Sequence, residues 1–155
     1  MRGRVPEAGN IIETMTQELI ALLQGEGIDI KGARGVAGFD PPPAIANDGF
    51  GSARPRRPAV LGFDSEKRRI VFGVVRPDRN SLDSEDALEE YNVFLDHNAR
   101  AGPQASVLYV IMPEELVNEF TSIMTHYIHR EYWHRVIIVR AQGEIAAGAK
   151  NAPSQ

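Results

Sequence analysis

The sequence predicts an α/β protein, a mixed β-sheet with helices on both sides, in the order α-β-β-α-β-α-β. Three observations carry this. Residues 59–64 (AVLGFD) and 69–76 (RIVFGVVR) are apolar, β-rich runs joined by the short polar turn SEKR, which reads as a hairpin. Residues 106–112 (SVLYVIM) and 135–140 (RVIIVR) are two further apolar runs, each preceded by a helical stretch, and strands spaced by helices imply parallel crossovers. The chain has 155 residues, 43% hydrophobic and 25% charged, which suits a single globular domain.

The first element is a helix over 11–24. Ile11, Ile12, Met15, Leu19, Leu22 and Leu23 recur at helical spacing on one face. Asn10 is placed as its N-cap, Glu13 completes a capping box, and Gly25 and Gly27 end it. Residues 32–58 hold glycines and a PPP run, which fits neither a helix nor a sheet interior and reads as a long irregular loop. After the hairpin, Ser84–Leu95 is an acidic amphipathic helix capped by Ser81 or Asp83, with Leu88, Tyr91 and Leu95 turned to the core. Pro113 opens a helix at its first turn, with Glu114 and Glu115 suited to the dipole. That helix runs to about His129, with Leu116, Phe120, Ile123, Met124 and Tyr127 inward. The expected organisation is one domain over 1–140 and a small, polar tail over 141–155.

Several function classes fall away at once. The chain has no cysteine, so it carries no disulfide scaffold, thiolate zinc site or cysteine nucleophile. No apolar run reaches the roughly 18 residues of a membrane span. The opening MRGRVPEAGN lacks the apolar core of a secretory signal. No membrane partner is therefore expected, and the expected compartment is cytoplasmic. GARGVAGFDPPP matches no phosphate-binding loop, so no nucleotide cofactor is expected.

The formal charge of −4 conceals a strong asymmetry. Residues 54–79 hold eight basic and three acidic side chains, a net of +5, whereas residues 80–120 net −8. The basic set is Arg54, Arg56, Arg57, Lys67, Arg68, Arg69, Arg76 and Arg79. Local charge decides where a polyanion docks, so these eight are the candidate phosphate contacts and DNA is the candidate nucleic-acid partner. A hairpin edge guarded by solvated cations is the competing explanation.

The element order, RRPAVLGFDSEKRRIVFGVVRPD and LYVIMPEELVNEF together resemble the restriction-endonuclease-like, or PD-(D/E)xK, nuclease superfamily, in particular its Holliday-junction-resolvase-like and predicted-nuclease members. The resemblance covers about residues 10–140 and rests on segment order and hydrophobic pattern. It implies a hairpin whose first strand carries an aspartate and whose second carries glutamate and lysine two apart. The acids hold a magnesium-type ion on oxygen ligands, and the lysine orients or deprotonates the attacking water.

Here the aspartate position is Ala59, the glutamate position Val74 and the lysine position Arg76. Alanine and valine ligate no metal, and arginine stays protonated. The expectation is a degenerate, inactive nuclease fold with no cofactor, magnesium entering only if the enzyme is active. Substitute ligands for an active enzyme would be Glu13, Glu18 and Asp64. Helix capping, solvent exposure and turn formation account for these three more simply.

His126, His129 and His134, interleaved with Tyr127, Tyr132 and Trp133, offer three nitrogens to a metal. Their spacing matches no zinc motif, and aromatic rings covering the core at a helix end explain them better. Two functions follow as expectations: a nucleic-acid-binding nuclease fold without the chemistry, or a non-catalytic interaction or scaffold module, expected as a homodimer. An active nuclease with relocated acids is third.

Overall fold

A computed structural model describes residues 8–46 and 54–142. Residues 47–53 of the expected long loop and 143–155 of the expected tail lie outside the described residues. The elements are α1 (Ala8–Gly25), β1 (Asp29–Ala33), β2 (Val60–Asp64), β3 (Arg69–Val75), α2 (Glu85–Asp96), β4 (Val107–Pro113), α3 (Val117–Tyr127) and β5 (Val136–Ala141). The sheet order follows the chain, β1 to β5. β1, β2 and β3 form an antiparallel meander, and β3, β4 and β5 are parallel. The α/β class and the mixed sheet flanked by helices stand. The order gains one strand, α-β-β-β-α-β-α-β, because residues 29–33 form β1 and take the first two residues of the expected loop.

The two faces of the sheet build separate cores. On one face Met15, Leu19, Ile20 and Leu23 of α1 pack on Val60, Val71, Val75, Val107, Tyr109 and Ile111. On the other, Tyr91, Phe94 and Leu95 of α2 with Phe120 and Ile123 of α3 pack on Phe72, Val74, Leu108, Val110 and Met112. β4 alternates perfectly between them, the two-residue period of a strand buried on both sides. Gly73 faces α1, and a Cβ there would come within 2.7 Å of the Leu19 side chain, so α1 lies directly on the backbone of β3.

Several local expectations are corrected. α1 begins at Ala8, so Asn10 is inside the helix and cannot cap it. Of the expected α1 face, Met15, Leu19 and Leu23 are buried, while Ile11, Ile12 and Leu22 are 40%, 42% and 38% exposed. α2 is capped by Ser84, whose Oγ accepts from Ala87 N–H at 3.1 Å, and not by Ser81 or Asp83. Ser81 and Asp78 instead cap each other across the 3₁₀ turn Arg79–Ser81. α3 stops at Tyr127, which is 56% exposed and not inward, because His129 already starts the next turn.

Candidate functional site

The hairpin β2–β3 and its flanks are the place to build a site. The turn between the strands sets Arg68 in the left-handed region, φ 58°, and Asp64 Oδ1 accepts from Lys67 N–H at 3.1 Å. Asp64 is thus a turn residue. The three positions of the nuclease pattern do not converge. Ala59 packs with the α1-side core, and Val74 is buried in the opposite core. Arg76, two residues further on the same strand direction, turns to α2. Shifting the register by one residue does not supply acids either, since Val71, Gly73 and Val75 face α1.

A magnesium-type ion does not fit these residues. Ala59 and Val74 present no oxygen donor, and Arg76 is a cation. Glu13 is exposed and accepts from Gln17 Nε2 at 3.4 Å. Glu18 Oε2 accepts from Gln142 N–H at 2.9 Å. Because β2 runs against β5, Asp64 and Glu18 mark opposite ends of the sheet. Among the described residues no three His, Cys, Asp or Glu side chains are grouped to hold a metal.

Arg76 is the best-anchored cation of the hairpin. Only 8% exposed, it donates from Nε to Tyr91 Oη at 2.9 Å, from Nη2 to Glu90 Oε1 at 2.7 Å and from Nη1 to Val75 O at 3.2 Å. Its guanidinium also lies 5.0 Å from the Tyr91 ring centre. Burial alone pulls its pKa down, but Tyr91 and Glu90 outweigh it and raise the value. Tyr91 passes the bond on to Leu82 O at 2.7 Å. Arg76 is therefore bound inward, and the expectation that it contacts phosphate is corrected.

Three of the other seven cations of the basic segment, Arg54, Arg56 and Arg79, bond acids of the acidic one. Arg54 and Arg56 reach Asp86 at 3.3 and 3.1 Å, and Arg56 also bonds Glu89. Both acids belong to α2. Arg79 bonds Glu119 of α3 at 2.5 Å, beside a cleft of about 310 Å³ lined also by Asp83 and His126. Arg57 Nη1 donates to Pro42 O at 2.8 Å. Four of the eight cations, Arg76 included, thus bond acids of the segment that nets −8. Lys67 and Arg68 at the turn are exposed, and Arg69 follows them half-buried.

Most side chains of the histidine–aromatic segment bond or pack within the fold. His126 Nδ1 lies 2.9 Å from Ser122 O, and His129 Nδ1 accepts from Glu131 N–H at 3.2 Å. Trp133 Nε1 donates to Ile128 O at 2.9 Å, and both Trp133 and Tyr132 pack on the α2–α3 core. Tyr132 Oη donates to Asp96 Oδ1 at 2.6 Å. Burial and that carboxylate push the Tyr132 phenol up to about 12. Tyr109 is raised likewise, by burial and its 2.8 Å bond to Glu26.

A pH dependence follows. A phenol with a raised folded pKa stabilises the fold fully below the unfolded value near 10, and that contribution is lost as pH rises through the folded value. Thermal midpoints are expected to fall between about pH 10 and 12, and Tyr132→Phe to flatten that fall. A midpoint constant up to pH 12 in both proteins would contradict this.

Among residues missed from sequence, Arg135 stands out. It is 6% exposed and bonds Leu95 O at 2.7 Å and Ser106 O at 2.5 Å, with Tyr132 stacked 4.7 Å away. Burial lowers its pKa, partly countered by Tyr132 and Asp96. Among the described residues no helix is long and apolar enough to cross a membrane. The chain matches no family model, no curated protein and no solved structure.

Proposed function

We propose that this chain is a non-catalytic protein of restriction-endonuclease-like fold that works as a protein-interaction module. One observation carries the reading: four of the eight cations that would serve a nucleic acid are bonded to acids within the fold, Arg54 and Arg56 to Asp86 and Glu89, Arg76 to Glu90 and Arg79 to Glu119. The meander followed by two parallel strands supports the fold. The aliphatic filling of both faces of β3 supports the absence of metal chemistry.

Nucleic-acid binding is the second reading, favoured by Lys67, Arg68 and Arg69 at the hairpin turn, which form no ion pair among the described residues. Salt titration of binding to duplex and single-stranded DNA and to RNA separates the two. Each phosphate contact contributes about −0.9 to the slope of log affinity against log salt. Contacts through the turn alone give a slope of about −3, lost in the Lys67→Ala, Arg68→Ala, Arg69→Ala triple variant, and all eight cations would give about −7. The interaction-module reading expects no binding at low salt and no cleavage with magnesium or manganese. Binding with a slope of about −3 or about −7, or cleavage abolished by Asp64→Asn or Glu18→Gln, would overturn it.

A further inference from the structure

The two edges of the sheet are finished differently. β1 carries the devices that keep an edge strand from pairing. Its register is broken by a bulge between Ile30 and Gly32, and Lys31 and Asp29 form an exposed ion pair at 2.8 Å. The following chain folds back over it, with Ala33 N–H bonded to Asp40 O at 2.9 Å. A Cβ on Gly32 would lie 3.1 Å from the Pro42 backbone.

β5 has neither a bulge nor a covering segment among the described residues, and its one exposed ion pair, Arg140 with Glu114 at 2.6 Å, lies near its C-terminal end. It keeps unbroken register with β4 from Val136 to Ala141. Val136, Ile137, Ile138 and Val139 are consecutive, aliphatic and only partly buried, alternating between the two cores. Among the described residues no strand pairs with its outer side. In a parallel ladder every second residue of such an edge strand turns its N–H and C=O outward, unmatched. The apolar surface continues onto α1. The bond from Gln142 to Glu18 brings that side of the helix to the end of β5. Ile11 and Leu22, 40% and 38% exposed, share the stripe of Glu18 at helical spacing.

On the reading of the chain as an interaction module, we propose that β5 pairs antiparallel with β5 of a second copy, about a twofold axis through Ile138, joining two sheets into one. The strand is self-complementary in this register. A twofold axis normal to the sheet keeps each face continuous only if it passes through a residue, because neighbours point to opposite faces. Centred on Ile138, Ile138 meets its own copy, Ile137 meets Val139, and Val136 meets Arg140. Every aliphatic residue is then used, and the single charge of the strand faces an aliphatic neighbour and not its like. Centring on Val139 would set Ile138 against Arg140 and Val136 against Gln142. Centring on Ile137 would require Arg135, which belongs to a 3₁₀ turn and bonds inward.

The full chain tests this directly. Light scattering on gel filtration should give twice the chain mass, and Ile138→Lys should give one chain mass with unchanged circular dichroism. The sequence contains no cysteine, so a single introduced thiol reports one contact. Under mild oxidation Ile138→Cys should form a disulfide-linked dimer, whereas Val136→Cys, which faces Arg140 of the other copy, should not. The thiol pair decides if Ile138→Lys fails to fold. A monomer up to about 100 µM, a dimer untouched by Ile138→Lys, or equal cross-linking at positions 136 and 138 overturns the proposal. A monomer that also ignores nucleic acid overturns only the β5 pairing, whereas nucleic-acid binding or cleavage strikes the interaction-module reading itself.

Discussion

Arg76→Ala is expected to destabilise the protein by about 3–5 kcal/mol, the cost of removing one partner from a buried ion pair. The guanidinium is 8% exposed and ties β3 to α2 through Glu90 at 2.7 Å and Tyr91 at 2.9 Å. Its loss strands the Glu90 carboxylate in a half-buried site and leaves a cavity beside the Tyr91 ring. Arg76→Lys should recover only part, because an ammonium cannot fork to both partners while lying against the ring. The double variant Arg76→Leu, Glu90→Leu should cost less than the two single changes added together, since no charge is then left alone. Urea unfolding followed by Trp133 fluorescence measures all five variants. A loss below 1 kcal/mol for Arg76→Ala would mean that the pair does not hold the two elements together.

Arg76 also shows where sequence reading reaches and where it stops. Its position at the end of an apolar strand was legible, because the runs 69–76 and 106–112 carry their own β signal. Its direction was not. A residue's face depends on register against neighbours far along the chain, and Val74 and Ala59 belong to opposite cores although both follow the nuclease pattern in one dimension. The same holds for charge. The blocks of +5 and −8 are visible as composition, but only the folded chain brings Arg54 and Arg56 against Asp86 and Glu89. β1 was missed because DIKGA is short, half polar and glycine-containing, which are the properties of a guarded edge strand. On α1, the periodicity of Ile11, Ile12 and Leu22 matched a buried face. α1 lies across β1, β3, β4 and β5 and buries only the stripe of Met15, Leu19, Ile20 and Leu23, so these three, which fall on the flanks of that stripe, remain exposed.

Two arginines five residues apart, Arg135 at the end of the 3₁₀ turn before β5 and Arg140 within β5, separate burial from charge. Arg135→Met is expected to cost about 3 kcal/mol, whereas Arg140→Met should cost less than about 0.5 kcal/mol. Arg140 bonds Glu114 at 2.6 Å, but both side chains are more than half exposed, so water replaces the contact. Arg135 is 6% exposed and is held mainly by carbonyls: Leu95 O in the last turn of α2 at 2.7 Å and Ser106 O before β4 at 2.5 Å. The carbonyl end of α2 carries partial negative charge, which favours a cation there. Removing the guanidinium leaves those carbonyls without their donor in a site closed by the Tyr132 ring, and methionine fills the volume without restoring the bonds. Arg135→Lys should fall between the two, because one ammonium reaches fewer of these acceptors. Denaturant midpoints at unchanged slope measure the three variants. Equal losses for Arg135→Met and Arg140→Met would contradict the assignment of the anchoring role to burial.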